Sequence, residues 1–221
     1  MSSAMVIRRL MLWAFDRLYN EAAWAYDLAA AVAGGEFWYR WGRAVLPFVR
    51  DEPVLEVGIG RARLLTALAA EGHQVVGIDL SPAMLRYARR EILAHGLSVP
   101  LVRASGTALP FADATFGTLI TTFPAPYIRE RVTHREFARV LRPGGHWLWA
   151  DAPRGTGPAT IRGGLTTLLS RPSDLADRRV EELLGNDPSG AFEVKLERVP
   201  VGPTEITVRV ATRRRAEKSV K

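Results

Sequence analysis

The sequence contains no cysteine, few histidines, and only three lysines among its 30 basic residues. Without cysteine there are no disulfides and no thiolate metal ligands, and a reducing cytoplasm is the localisation that fits. The four histidines are widely spread and show no metal-ligand spacing, so no metal site is expected. They are His73, His95, His134 and His146.

Long apolar runs are also missing. No stretch is long enough to cross a bilayer, and "MVIRRLMLWAFDRLYN" carries too many charges for the apolar part of a signal peptide. The net charge is +7, so acidic partners have to be considered. The charge is dispersed except in "RRR" at 213–215, where a solvated terminus is favoured over a phosphate contact.

From residue 54 the pattern alternates apolar strands with amphipathic helices. Five segments read as strands: "PVLEVG", "QVVGID", "VPLVRA", "FGTLITTF" and "HWLWAD". One helix is expected to begin at Ser81 as its N-cap and Pro82, and another to cover residues 130–141 before a tight turn at "RPGG". Such alternation predicts an α/β fold with a mostly parallel sheet and right-handed crossovers.

The two ends of the chain differ from this middle. "FEVKLERV" and "TEITVRVAT" alternate strictly, which predicts an antiparallel strand pair at the edge of the sheet. Residues 1–50 hold four of the six tryptophans and a helical apolar stripe, so we interpret them as a helical lid. The predicted division is therefore a lid over 1–50, a single domain over 51–215 and a tail over 216–221.

The loop "VLEVGIGRARLL" at 54–65 is the most informative stretch. A dinucleotide fingerprint needs a third glycine at position 63, where Arg63 stands, so a pyrophosphate ligand is disfavoured. Glu56 lies two residues before the first glycine, Gly58, and Asp79 ends the next strand. This pattern instead suits a nucleoside that carries an amino acid. Bare glycine backbone admits the amino-acid part, and a carboxylate can accept both ribose hydroxyls.

In these motifs the chain resembles the class I S-adenosylmethionine-dependent methyltransferases, particularly the group that includes quinone-biosynthesis and other small-molecule enzymes. Four segments carry the resemblance, in order: "VLEVGIGRAR", "VVGIDLSPAML", "RASGTALPFADATFGTLITTF" and "REFARVLRPGGHWLWAD". The resemblance covers nearly half of the chain. It implies a Rossmann-like seven-stranded, mostly parallel sheet with helices on both faces, and S-adenosylmethionine as the cofactor.

The resemblance also implies which residues bind the cofactor. Glu56, Gly58 and Gly60 would surround the methionine part, and Asp79 would bind the ribose. The remaining contacts follow the same pattern: Leu80 and Met84 on the adenine, Ser105 and Gly106 at its amino group, and Thr122 near the methyl end. Three tyrosines are candidates to line the acceptor pocket or the lid: Tyr19, Tyr26 and Tyr127. No catalytic residue is assigned.

Three positions depart from the family pattern. Ser105 stands where an aspartate in Gly-Asp-Ala usually accepts from the adenine, and a neutral acceptor is weaker. Ala62 replaces the usual third glycine, at little cost if its φ is negative. "FPAPY" lacks the Asp or Asn of the Asp/Asn-Pro-Pro-Tyr loop and is not interpreted as that motif. His134 is expected on the surface of its helix.

These features favour an enzyme that moves a methyl group to a small, hydrophobic acceptor such as a quinone precursor or a lipid. The aromatic N-terminal segment, with Arg8 and Arg9, suggests a peripheral contact with a membrane surface. A nucleic-acid methyltransferase is favoured only by the charge, because no aromatic–basic stripe is present. A non-catalytic relative stays open because of Ala62 and Ser105. The sequence gives no indication of the oligomeric state.

Overall fold

The computed structural model describes residues 35–150, 154–155, 185–202 and 204–215. The predictions for Tyr19, Tyr26, Arg8 and Arg9 lie outside these residues. The helices are α1 (Gly35–Gly42), the 3-10 helix η1 (Arg43–Phe48), α2 (Arg63–Ala70), α3 (Pro82–Ala94), the 3-10 helix η2 (Pro126–Arg129) and α4 (Arg131–Val140). The strands are β1 (Val54–Val57), β2 (Val75–Asp79), β3 (Leu101–Arg103), β4 (Phe116–Thr122), β5 (Leu141–Ala150), β6 (Arg154–Gly155), β7 (Phe192–Val201) and β8 (Thr204–Arg213).

One mixed sheet contains all of these strands. Its order is β3-β2-β1-β4-β5-β8, with β7 and the two-residue β6 both paired to β8. The first five strands of that order are parallel, whereas β8 runs antiparallel to β5 and β7 antiparallel to β8. The strand order reverses between β1 and β4, so the carboxyl ends of these two strands flank the natural ligand crevice of such a sheet.

Helices cover both faces of the sheet, as predicted. On one face, α2, α3 and η1 pack their apolar residues on alternate residues of the strands, among them Val54, Ile120 and Leu148. On the other face, α4 packs Phe137 and Val140 against the intervening residues, among them Trp147 and Trp149. The two-residue period of a strand thus divides each inner strand between two apolar layers.

Local signals in the sequence account for several boundaries. The hydroxyl of Ser81 accepts from the backbone N–H of Met84, and Pro82 opens α3, which confirms the predicted cap. "RPGG" is not a turn before the strand; it is an irregularity within β5. Phe116 pairs with Leu141 and Thr118 with His146, so the ladder skips residues 142–145, where Gly144 has a φ of 87°.

Residues 35–48 are helical, in agreement with the prediction for the N-terminal region. The indole N–H of Trp41 donates to the hydroxyl of Thr204 at 2.9 Å, which ties α1 to the start of β8. Among the described residues, no helix has the length and apolar character needed to span a membrane.

Candidate cofactor site

The loop between β1 and α2 contains three residues in the left-handed backbone region. These are Gly58 with a φ of 77°, Gly60 with 51° and Ala62 with 60°. Glycine adopts this region freely, whereas an alanine there costs about 1–2 kcal/mol. The condition under which Ala62 would be tolerated at little cost, a negative φ, is therefore not met. A Cβ added to Gly60 would meet no atom within 4 Å, so the surface above Gly60 is open.

Glu56 lies beneath this loop and is buried. Burial, followed by repulsion from Asp79, raises the pKa of Glu56 to about 8, although a hydrogen bond from the Leu65 backbone lowers it. One carboxyl oxygen, Oε2, has no hydrogen-bond partner among the described residues. The side chain is thus largely protonated at neutral pH, and an approaching cation such as an ammonium group would favour its charged form.

Asp79, at the end of β2, joins the two loops that begin at the carboxyl edge of the sheet. Its Oδ2 accepts from the backbone N–H of Gly60 at 3.0 Å, and its Oδ1 accepts from that of Ser81 at 2.9 Å. Burial raises the pKa of Asp79 against the lowering effect of these backbone bonds. A carboxylate has about four acceptor positions, and the Leu80 backbone also contributes a hydrogen bond, so Asp79 keeps some acceptor capacity for a ligand hydroxyl group.

The residues expected around the adenine occupy different environments. Leu80 is 58% exposed, which leaves an apolar side chain open next to Asp79. Met84 is fully buried beside Ala83 and Tyr87. The hydroxyl of Ser105 bonds to the hydroxyl of Thr107 at 2.8 Å and accepts from its backbone N–H at 3.2 Å. Ser105 therefore closes a local turn, and its contact with adenine stays a prediction.

Tyr127, in η2, packs over the glycines of the site. A Cβ on Gly106 would lie only 2.6 Å from Cε2 of Tyr127, and a Cβ on Gly58 would lie 3.7 Å from its hydroxyl. Gly106 stands where the family pattern has the alanine of Gly-Asp-Ala, so the missing methyl group makes room for this ring. Burial and the charge of Asp79 both raise the pKa of Tyr127; the phenol is neutral and can donate a hydrogen bond.

The first turn of α4 fixes the position of η2. Thr133 donates to the carbonyl of Tyr127 at 2.7 Å, and Nε2 of His134 lies 2.9 Å from the carbonyl of Ile128. Nδ1 of His134 lies 3.1 Å from Oδ1 of Asp187. The expectation that His134 is a surface residue is wrong, because its side chain is 2% exposed. The helical period places it on the same buried face as Phe137 and Ala138, and that period was the signal available in the sequence.

Thr122 ends β4 next to α1. A Cβ on Gly42 would lie 3.8 Å from Cγ2 of Thr122 and 4.0 Å from the ring of Phe123. Phe123 has a φ of 48°, an outlier for a bulky residue, and such outliers cluster at ligand sites. The end of α1 and the segment after β4 therefore form one wall at the carboxyl edge of the sheet.

The residues present fit S-adenosylmethionine. Open glycine backbone at Gly60, a carboxylate with spare acceptor capacity at Asp79 and an exposed apolar side chain at Leu80 match an amino acid, a ribose and a purine in turn. The unpartnered oxygen of Glu56 beneath the loop matches the cationic end of such a molecule.

Comparisons with known proteins agree with this chemistry. Residues 54–145 match the family model described as a methyltransferase domain. The chain is 31% identical over 142 residues to the demethylmenaquinone methyltransferase of Thermus thermophilus, a match that covers 62% of this chain and 64% of that relative. It is 32% identical over 167 residues to the ubiquinone/menaquinone biosynthesis C-methyltransferase of Syntrophotalea carbinolica, covering 75% and 62% respectively. The chain thus spans somewhat less than two thirds of the length of these relatives.

A solved structure supports the fold. A methyltransferase dependent on S-adenosylmethionine from Aquifex aeolicus superimposes with a TM-score of 0.55 at 22% identity, over 77% of this chain and 88% of that one. The family match and the curated relatives together support S-adenosylmethionine as the cofactor, and residues 54–145 are similar to a methyltransferase domain.

Proposed function

We propose that this chain transfers a methyl group from S-adenosylmethionine to a carbon atom of a small hydrophobic acceptor of the quinone-precursor type. The observation that carries the proposal is the similarity to a quinone-biosynthesis C-methyltransferase over 75% of the chain. The geometry of Gly60 and Asp79 supports it, because that geometry fits the cofactor such a reaction needs.

When bound, the cofactor would supply an electrophilic methyl group on a sulfonium for in-line transfer. Little covalent help from the protein is needed, so the chain contributes binding, orientation and exclusion of water. Asp79 holds the ribose, the Gly58–Gly60 backbone admits the methionine part, and Leu80 covers the purine. Tyr127 and Phe123 line the approach to the reacting end with apolar rings.

The apolar, aromatic side chains in the wall between α1 and β4 favour an apolar acceptor. Phe123 is partly buried there and Trp41, which is bonded to Thr204, packs into the core behind it. A hydrophobic acceptor also suits the tryptophan-rich N-terminal segment, which we interpret as a lid. A peripheral contact with a membrane surface is part of the same proposal.

Methyl-labelled cofactor tests the proposal directly. The protein is incubated with a naphthohydroquinone that is unsubstituted at carbon 2, and in parallel with fractionated cell extract. We expect label in the quinol and in the lipid-soluble fraction. Label confined to RNA would instead support a nucleic-acid methyltransferase. A folded sample that binds neither S-adenosylmethionine nor S-adenosylhomocysteine at millimolar concentration would contradict any methyltransferase.

The membrane contact has its own test. Flotation with vesicles that contain anionic lipid is expected to carry the full chain, and a variant lacking residues 1–20 is expected to stay behind. Equal flotation of both proteins, or of neither, would overturn this part of the proposal without affecting methyl transfer.

A further inference from the structure

A fully buried arginine on β8 lacks most of its hydrogen-bond partners. Arg209 is 0% exposed, and its Nη1 donates to the backbone carbonyl of Asn186 at 3.0 Å. Its Nε and Nη2 have no acceptor among the described residues. Leaving such donors unpaired in the interior is costly, so each instance calls for an explanation.

A third unpaired donor lies beside this arginine. Trp149 is directly opposite Arg209 in the antiparallel pair of β5 and β8, it is 2% exposed, and its indole N–H also lacks an acceptor among the described residues. The guanidinium carbon lies 5.8 Å from the centre of the Trp149 ring and 4.5 Å from that of Trp147. The N–H of Trp147, by contrast, donates to the hydroxyl of Thr121 at 3.0 Å. Three donors without acceptors are therefore grouped in one place.

The nearby ionisable groups do not satisfy these donors. Within the part of the chain that the structure describes, Asp187 is the acid that acts on Arg209 electrostatically, and its two oxygens accept from Ser189, from the backbone N–H of Phe192 and from His134. Burial lowers the pKa of His134, and the positive charge of Arg209 lowers it further. Burial also lowers the pKa of Arg209, to about 10, so the guanidinium stays charged at neutral pH. A negatively charged oxygen would satisfy the donors that have no acceptor among the described residues.

The position of the donors connects them with the crevice. Trp149 is the last residue but one of β5 and pairs with Thr121 of β4. Thr121 directly precedes Thr122, the last residue of β4. The carboxyl end of a parallel sheet is where ligands of this fold class bind. The donors project to the α4 face. Along the same edge, the glycine loop that follows β1 lies two strands from β5, and Asp79 at the end of β2 lies three strands from it.

We propose that Arg209 and Trp149 bind an anionic oxygen of the methyl acceptor, either a carboxylate or an ionised hydroxyl group on an aromatic ring. The inference rests on the proposed function, because it assigns to that reaction a part of its acceptor site. Charge-assisted hydrogen bonds from an arginine are strong and suit such an oxygen. The acceptor is accordingly an aromatic acid or phenol, and a purely hydrocarbon molecule is excluded.

A pair of matched probes tests the site without any cofactor. Calorimetry compares 2-naphthoate with the neutral naphthalene-2-methanol, which has the same ring system. We expect the protein to bind 2-naphthoate at least about tenfold more tightly, and Arg209→Gln to reduce this ratio to near one. Trp149→Phe removes one donor and reduces the ratio partly. Arg214→Gln, at an exposed arginine five residues further on, is the matched control and leaves the ratio unchanged.

An optical probe gives a second readout. The yellow phenolate band of 4-nitrophenol reports its ionisation, and binding next to the guanidinium is expected to lower the pKa of the bound dye by about one unit or more. Arg209→Lys keeps the charge but not the fork of donors, so it should retain part of this shift. Equal affinity for both naphthalene probes, or an unchanged ratio in Arg209→Gln, would overturn the inference.

Stability separates a binding role from a structural one. Replacement of a poorly paired buried charge by an apolar side chain is often neutral or stabilising. Arg209→Met is therefore expected to melt at the same temperature as the parent chain or higher, while it loses the preference for 2-naphthoate. A clear fall in melting temperature with the preference intact would contradict the proposal. If the probes behave as expected but no acceptor is methylated, the anion site stands and the proposed function fails.

Discussion

Two groups of buried ionisable residues lie at the carboxyl edge of the sheet, on opposite faces, and they differ in how they are satisfied. On the face covered by α2, Asp79 accepts backbone hydrogen bonds, among them those of Gly60 and Ser81, and Glu56 is an acid whose pKa is raised to about 8. On the face covered by α4, Arg209 is a cation with two donor atoms that find no acceptor in the described parts of the chain. A buried acid can become neutral by binding a proton, whereas an arginine stays charged. An anion would therefore stabilise the second group.

The two groups also differ in how they are encoded. Glu56, Gly58, Gly60 and Asp79 lie within 24 residues of sequence and form a recognisable motif. Arg209, Trp149, Asp187 and His134 come from four separate segments of the chain, and only the register of β8 against β5 brings the first two together. The following predictions test whether the two groups behave as this comparison requires.

The residues Arg209, Trp149, Asp187 and His134 on the face covered by α4 are called the α4-side group. The largest effect is expected at Asp187, which supplies the negative charge of this group. Its hydrogen bonds from Ser189, Phe192 and His134 hold its pKa below the usual value despite the opposing effect of burial. Asp187→Asn should lower the free energy of unfolding by about 3 kcal/mol, because it breaks these bonds and leaves Arg209 without a nearby negative charge. Urea denaturation measures the loss.

Two further variants make this result specific. Arg209→Met in the Asp187→Asn background should recover about 1 kcal/mol or more, since the uncompensated charge is then gone. Asp113→Asn is the control, because Asp113 pairs with Arg139 on the surface and is 76% exposed, so its loss should change stability by less than about 1 kcal/mol. Equal losses from Asp187→Asn and Asp113→Asn would remove the basis of the comparison.

On the α2 side, Asp79→Asn should weaken cofactor binding. The amide presents a donor where Gly60 N–H or Ser81 N–H now finds an acceptor, and it cannot accept both ribose hydroxyls. We expect the affinity for S-adenosylhomocysteine to fall about thirtyfold, close to 2 kcal/mol. Calorimetry gives the value. An affinity within threefold of the parent chain, in a folded sample, would show that Asp79 serves only the loop.

The contact between Gly106 and Tyr127 is expected to behave as a packing constraint. Gly106→Ala would place a methyl group 2.6 Å from the Tyr127 ring, so it should destabilise the protein by about 1–2 kcal/mol. In a Tyr127→Ala background the same change should cost little, because the space is then free. Thermal melting of the four proteins forms a double-mutant cycle, and a cost of Gly106→Ala that does not depend on Tyr127 would contradict the assignment.

The smallest effect is a pH dependence that arises at Glu56. Its pKa is raised from 4.5 to about 8 on folding, so the unfolded chain releases this proton at a lower pH than the folded chain. The contribution to stability is complete below pH 4.5 and is lost as the pH rises through 8. Between pH 7 and 8 the free energy of unfolding should fall by about 1 kcal/mol.

Glu56→Gln provides the control for this pH dependence. The amide keeps the shape and an acceptor for Leu65 but does not titrate, so the slope between pH 7 and 8 should disappear. Burial lowers the pKa of His134 and of His146, so these two histidines make stability rise with pH and do not produce the expected fall. A slope that persists in Glu56→Gln would assign the effect to another group.

The sequence was sufficient for most of the sheet, because strand alternation and the cap at Ser81 and Pro82 are local signals. The irregularity at 142–145 was not predictable, since a Pro-Gly-Gly segment indicates a turn and only the pairing with β4 shows that the strand continues. The helical period indicates that His134 is buried. The prediction of a surface position instead followed the polar character of its side chain.

The α4-side group was hidden for a different reason. In "TEITVRVAT" the alternation assigns Ile206, Val208 and Val210 to the apolar face and Arg209 to the opposite one, which is polar in an edge strand. In the structure β8 lies between β5 and β7, and apolar layers cover both of its faces. An arginine on the second face is then buried, a consequence of tertiary position that no window of sequence contains.

The bonds that His134 makes have a thermodynamic consequence for the two sites. One ring nitrogen faces Asp187, in the neighbourhood of Arg209, and the other faces the carbonyl of Ile128, one residue after the tyrosine that packs over Gly58. Any ligand that shifts His134 therefore changes the free energy of the segment next to the cofactor loop. Reciprocity of binding free energies then requires that the cofactor changes the affinity for an anion by the same factor. If an anion that binds beside Arg209 shifts His134, the imidazole would couple the affinity for that anion to the affinity for the cofactor.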